Sequence, residues 1–263
     1  MNDWLHDLPV PWMALVTFGF TFVLAGAIYA VVMALAVGER GRSFKAVSPG
    51  LLPPLGILFG LFVAFVAAQV WNDNERANAV VSREASALSD VVTLAGSFPG
   101  EPEARLRTLI HGHIEEAVKQ EWPMMASRAE MLKLSPRSLT DALQLAVRLT
   151  PSSPGQQTAQ RAMITALENA FDARRQRILI SRSQVNFVKW SCLFLQAACA
   201  FVAIVMVHSD NRLTAIITLA IFGIGVAASA LLILAHDRPF KGEISVSPSP
   251  LLQVMPDVPA SAQ

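Results

Sequence analysis

Apolar and charged positions fall in blocks along this chain. Four stretches, 12–37, 51–70, 190–207 and 213–235, are almost free of charge. Each is close to the roughly 20 residues needed to cross a hydrocarbon core, and flanking residues extend the third, the shortest. They predict four transmembrane helices in two pairs. The first pair is joined by the loop GERGRSFKAVSPG and the second by HSDNR. Between the pairs, residues 71–189 read as helices in water, with no strand period and no long repeat.

Within that insert, Val81, Ala85, Leu88 and Val92 share a helical face over 72–94, with Arg83, Glu84 and Asp90 largely off it. GSFPGEP (96–102) ends this helix. A second runs over 103–121 through Leu106, Ile110, Ile114 and Ala117. SPRSLTDALQLAVRL starts a third, with Ser135 as N-cap and Pro136 at the first helical position. TPSSPG (150–155) is another breaker. Residues 61–95 and 156–207 contain neither proline nor glycine. Spans two and three are therefore expected to run unbroken into the soluble helices, with no interruption inside 70–78 or 182–190. The predicted fold is an all-α polytopic integral membrane protein, four transmembrane helices with a helical soluble domain between spans two and three. Its parts are a first transmembrane pair (1–70), the soluble domain (71–189), a second pair (190–235) and a C-terminal tail (236–263).

Composition adds little. The hydrophobic share of 53% is only slightly above the roughly 45–50% of soluble domains, and a net charge of +1 gives no footprint for nucleic acid. Residues 1–10 lack Lys and Arg and the first apolar run is too long for an h-region, so it is not expected to be a secretory signal. Cys192 and Cys199 lie seven apart on one helix and read as packing residues. Nucleophile elbows, phosphate loops, zinc-spaced sets and catalytic triads are missing from the sequence, so neither an enzyme nor a cofactor is expected. Besides Gln69, the intramembrane polar groups worth naming are Tyr29 and Gln196, and no carboxylate chain of the proton-relay kind crosses the spans. His111 and His113 are two apart and point to different helix faces, whereas zinc pairs favour i, i+4. They read as a solvated or core-edge pair, and no metal site is expected.

LFGLFVAFVAAQVWNDN (58–74) resembles the second membrane helix of bestrophin channels, where a glycine and an aromatic–aliphatic run lead to a Trp-Asn pair. Gly60, Trp71 and Asn72 match. DRPFKGEISVSP (237–248) resembles the Pro-Phe-Gly-Glu segment after the last bestrophin span, through Pro239, Phe240 and Glu243, with Gly242 after an inserted Lys241. Together with EWP (121–123), these segments resemble a bacterial bestrophin-like membrane family. The resemblance implies homopentameric, anion-permeable channels lined by the second helix, with the termini and soluble domain cytoplasmic. Two departures stand out. Bestrophin necks carry bulky apolar residues at four-residue spacing; Ile57 and Leu61 fit that pattern and Pro53 does not. ISVSPSP replaces the acidic run of animal bestrophins, so calcium gating is not implied.

Ile57, Leu61, Phe65 and Gln69 recur every four residues, beside a stripe of Gly56, Gly60, Ala64 and Ala68. Small residues let helices approach closely in lipid, and Ile57, Leu61 and Phe65 are candidates for an apolar neck that gates by dewetting. The alternative is ordinary packing against lipid or protein. Gln69, Asn72 and Glu75 are candidates for a pore mouth, or simply the polar end of an interfacial helix. Pro239 stops the fourth span. Phe240 is then expected to pack against the base of the second helix near Trp71, with Glu243 in the same tail. The five basic residues of 174–189 orient the third span and touch anionic lipid, or form an electropositive vestibule.

The charge signals for orientation conflict. Arg40, Arg42 and Lys45 favour a cytoplasmic first loop. The cluster at 174–189 with Arg238 and Lys241 favours a cytoplasmic soluble domain, as the resemblance does. The leading expectation is a bestrophin-like homo-oligomeric ion channel of the inner (plasma) membrane, its partners being membrane lipid, copies of itself and inorganic ions such as chloride. The rivals are a cation or small-solute pore, suggested by Glu75, and a non-conducting scaffold or sensor whose helical domain binds a partner.

Overall fold

The computed structural model describes residues 3–36, 44, 47–127 and 136–257. Among them there is no strand. After a short 3-10 turn (Asp3–Asp7), the helices are α1 (Val10–Leu35), α2 (Leu52–Ala95), α3 (Glu101–Glu116), α4 (Trp122–Ser127), α5 (Arg137–Arg148), α6 (Pro154–Ile180), α7 (Phe187–Val207), α8 (Arg212–His236) and α9 (Ser249–Gln253). The chain divides into two compact units. One is Met1–Asn72 with Gln184–Arg238 and Gly242–Ile244; the other is Asp73–Ser183 with Pro239–Lys241 and Ser245–Gln263.

The first unit holds the four apolar helices. All four are long and apolar enough to cross a membrane. α1 packs on α7 and α8, and the core is built from Leu193, Phe201, Val226 and Ile233. Polar caps start the helices: Asn186 Oδ1 accepts from Lys189 N at 3.0 Å, and Asn211 Oδ1 accepts from Thr214 N at 3.2 Å. In α1, the Thr17 and Thr21 hydroxyls donate to carbonyls one turn back, so neither leaves a polar group unsatisfied in an apolar setting.

α2 is one helix of 44 residues. Its run through 70–78 is unbroken, as expected where neither proline nor glycine intervenes. The equivalent expectation for the third span is corrected. α6 ends at Ile180, residues 181–186 form a turn, and α7 starts at Phe187. Arg182 and Ser183 close the turn by donating to the carbonyls of Leu179 and Ile180. Val185 N then donates to Asp237 Oδ1 at 2.5 Å, and Asn186 caps the new helix. A helix can thus be interrupted without proline or glycine when side chains, here the local Asn186 and the distant Asp237, offer the backbone other partners.

The second unit is a helical domain around Leu88, Leu106, Ile110, Leu139, Met163 and Leu167. The helix expected over 103–121 begins at Glu101 and changes at Ala117 into a π-helical turn, Ala117–Glu121, in which Trp122 N donates to Ala117 O. Pro123 explains the change. It cannot donate to Lys119, and its ring crowds that carbonyl, so the ladder widens by one residue. The N-cap expected at Ser135 lies outside the described residues, as do Arg40, Arg42 and Lys45. Pro136 sits at the N-cap of α5, one position before the helix.

Candidate functional site

The membrane part of α2 has two unlike faces. Phe59, Val66 and Val70 are buried, and the Phe59 ring meets Phe222 of α8 at 5.6 Å. The other face is bare. Ile57, Leu61 and Phe65 are 62%, 64% and 64% exposed, and a Cβ placed on Gly56 or Gly60 would touch nothing within 4 Å. Only 11% of the apolar window of α2 is buried within the chain, against 44% for α7. The second span is therefore the one most in need of an external surface. Pro53 occupies the first turn of α2, where a missing N–H costs no helical hydrogen bond.

At the polar end, Gln69 Oε1 accepts a hydrogen bond from Lys189 Nζ of α7. This places a positive charge one turn before Asn72, with Glu75 on the next turn; both Asn72 and Glu75 are exposed. Trp71 is 57% exposed, and its ring lies 6.0 Å from that of His236, at the end of α8.

The tail resolves into separate contacts. Asp237 accepts from Val185 as above and lies 3.4 Å from His6 Nε2. Pro239 O accepts from Val246 N at 2.7 Å. Gly242 takes φ +98°, a conformation that only glycine adopts easily. Glu243 Oε2 accepts from Val10 N at 3.0 Å, satisfying an orphan donor at the start of α1. Phe240 is 4% exposed. Its ring partner is Trp122, edge-on at 5.5 Å, rather than the expected Trp71, because the π turn leaves Trp122 packed against the domain core. The Trp122 indole N–H donates to Val246 O at 3.2 Å. Phe240→Ala removes a buried aromatic worth about 3 kcal/mol or more and is expected to speed tryptic cleavage after Lys241 in the folded protein, read by mass spectrometry.

A buried ionic cluster escaped the sequence reading. Glu84, placed there off the apolar face, is 0% exposed, as is Arg177. Arg177 Nε donates to Glu84 Oε2 at 2.7 Å, and Nη2 donates to Glu84 Oε1 at 3.1 Å and Glu121 Oε2 at 2.7 Å. Arg174 Nε donates to Glu121 Oε1 at 2.7 Å. His113 pairs with Glu84 at 3.2 Å, and the Arg177 guanidinium lies 4.8 Å over the Trp122 ring. Burial pushes the Glu84 carboxyl up, but Arg177 and His113 outweigh it and bring it down from 4.5 to about 2. Two of the five basic residues assigned to lipid or a vestibule are therefore interior ion-pair partners. His111 turns elsewhere, its Nδ1 meeting Pro256 O at 3.0 Å. The EWP motif now has a structural content: Glu121 holds two arginines, Trp122 covers Arg177 and Phe240, and Pro123 forces the π turn.

No curated protein matches the sequence. Among solved structures, the fold is similar to point variants of a bacterial bestrophin homologue from Klebsiella pneumoniae. One is 15% identical, with TM-score 0.69, over 90% of this chain and 97% of that one. Another is 12% identical, with TM-score 0.70, over 92% and 95%. A structure of the bacterial bestrophin homologue from that organism phased by Zn-SAD matches at 12% identity and TM-score 0.66, over 94% and 96%. These likenesses establish the fold. The model of the bestrophin-like domain matches residues 19–251, all four apolar helices included in whole or large part, and the chain belongs to the bestrophin-like family of membrane proteins.

Proposed function

We propose that the protein is a homo-oligomeric ion channel of the inner membrane, with α2 lining the pore and Ile57, Leu61 and Phe65 forming its apolar neck. The observation that carries this reading is the bare face of α2. Lipid could cover it, but lipid gives a helix no reason to align three bulky apolar residues beside an empty small-residue stripe and then end in Gln69, Asn72 and Glu75. Copies of the same helix around an axis account for both. The small stripe allows close approach, and the bulky residues constrict a path that water enters reluctantly. Family membership supports five copies and a cytoplasmic helical domain.

Anion permeation is the reading favoured at the mouth. Lys189, held by Gln69, brings a positive charge to each copy of α2 at its polar end, and a ring of such charges raises the local anion concentration. Glu75 is the feature on which a cation pore would rest. Two measurements on the detergent-purified full chain test the proposal: native mass for oligomeric state, and reversal potential in a planar bilayer under a KCl gradient. The expected results are a closed oligomer and a reversal near the chloride equilibrium potential. Reversal toward potassium would establish the cation pore, and an oligomer that never conducts would establish the scaffold.

A further inference from the structure

Lys189 sits in the first turn of α7, and little packing holds that turn. Phe187 and Val188 are 81% and 64% exposed, and the first N–H groups of any helix lack intrahelical partners. Yet Lys189 is the residue whose ammonium donates to Gln69 of α2. A frayed first turn would carry that charge away from the mouth.

Two side chains fix the turn instead. Asn186 Oδ1 accepts from Lys189 N at 3.0 Å, a local cap. The second comes from the end of α8: Asp237 Oδ1 accepts from Val185 N at 2.5 Å and pins the residue before the cap. The segment SRSQVN also offers Ser183 as a cap. A helix begun there would need the Val185 N–H for the serine hydroxyl, and Asp237 takes that donor away.

Asp237 does nothing for its own helix. It is the C-cap of α8, where the helix dipole is negative and acidic side chains are disfavoured. It is also 5% exposed, and a buried acid needs polar partners. Those partners lie outside α8. Val185 N meets one oxygen, and Nε2 of His6, itself 4% exposed, lies 3.4 Å from the other. We propose that Asp237, steadied by His6, is the positioning residue for Lys189: it fixes the start of α7 and so holds the ammonium on Gln69. Its consequence for ion preference rests on the reading of Lys189 as the charge at the mouth; the geometry does not.

The test uses the full-length protein in nanodiscs. Acetylation of Lys189 by a water-soluble N-hydroxysuccinimide ester, read by mass spectrometry, reports how firmly the amine is held, whether or not the protein conducts. Its rate is expected to rise several-fold in Asp237→Ala and to stay near the parent in Asp237→Asn, whose amide oxygen still accepts from Val185 N. Glu243→Gln weakens the tail's hold on α1 instead; it should keep the parental rate and so separates positioning from general loosening. In a planar bilayer under a KCl gradient, the reversal potential of Asp237→Ala should move from the chloride equilibrium value toward zero, as that of Lys189→Gln does. Unchanged acetylation in Asp237→Ala, or an equal rise in Glu243→Gln, would overturn the proposal. So would a reversal shift in Lys189→Gln that Asp237→Ala does not reproduce. If Lys189→Gln itself leaves the reversal unmoved, the reading of the mouth fails, and acetylation alone decides whether Asp237 holds Lys189. Where Asp237→Ala does not fold, His6→Ala leaves Asp237 in place and should raise acetylation by a smaller factor; no rise there would equally overturn the proposal.

Discussion

Glu84→Gln is expected to destabilise the helical domain by about 3–5 kcal/mol, the usual cost of removing one partner from a buried ion pair. The substitution keeps shape and takes away a charge, leaving Arg177 buried with the Glu121 carboxylate that it shares with Arg174. In the full chain in detergent it should lower the unfolding temperature of the helical signal by about 10 °C. Replacing Arg177 as well, as Glu84→Gln with Arg177→Met, should recover part of the loss, because no uncompensated charge then stays inside. The same carboxylate gives the protein an acid limit. Its pKa is lower in the folded state, about 2 against 4.5, so its contribution is complete above about pH 4.5 and is lost as pH falls toward 2. That contribution is roughly 3 kcal/mol. Acid unfolding of Glu84→Gln should therefore be less steep over that window than that of the parent. Identical stability of the two at neutral pH would mean the cluster does not hold the domain together.

Leu61→Ser should raise ion flux through proteoliposomes on the order of tenfold, since only about 1.4 kcal/mol off the conduction barrier is needed for that. Leu61 lies between Ile57 and Phe65 on the bare face of α2, and in the proposed pore serines at this level would wet a segment that leucines would keep dry. Leu195 of α7 is as exposed, at 65%, but lies outside α2. Leu195→Ser is the matched control and should leave flux close to the parent. Equal effects at 195 and 61 would point to general loosening of the membrane helices.

The membrane helices were legible because an apolar block about 20 residues long has few other readings, and the four-residue spacing of Ile57, Leu61 and Phe65 picks out a face that the structure leaves exposed. The ionic cluster was less legible, yet its signal is present. Ala77, Val81, Glu84, Leu88, Val91 and Ala95 follow alternating steps of four and three, as do Met163, Leu167, Ala170, Arg174 and Arg177. Glu84 and the two arginines continue apolar seams, and all these residues are buried. The face drawn through Val81, Ala85, Leu88 and Val92 passed beside Glu84 because a charge was assumed to face water. Opposite charges on two seams are a cue for pairing that neither seam carries alone. The interruption at 181–186 was hidden for another reason. Its hydrogen bond to Asp237 comes from 52 residues away, and only the serines and asparagine of SRSQVN hint at it locally. Phe240 was expected to need a burial partner; that this partner is Trp122 depends on a π turn that sequence periodicity does not register.

The central claim is that the bare face of α2 lines an ion pathway. Single-channel recording of Leu61→Cys, with Cys192 and Cys199 replaced by alanine, addresses it directly. A charged, water-soluble thiol reagent added during recording should attach at position 61 and block most of the current, while channels carrying the cysteine at exposed Leu195 of α7 instead go on conducting. Steady Leu61→Cys current after prolonged exposure, with the cysteine still unmodified by mass, would contradict the claim and return the neck residues to lipid or protein packing.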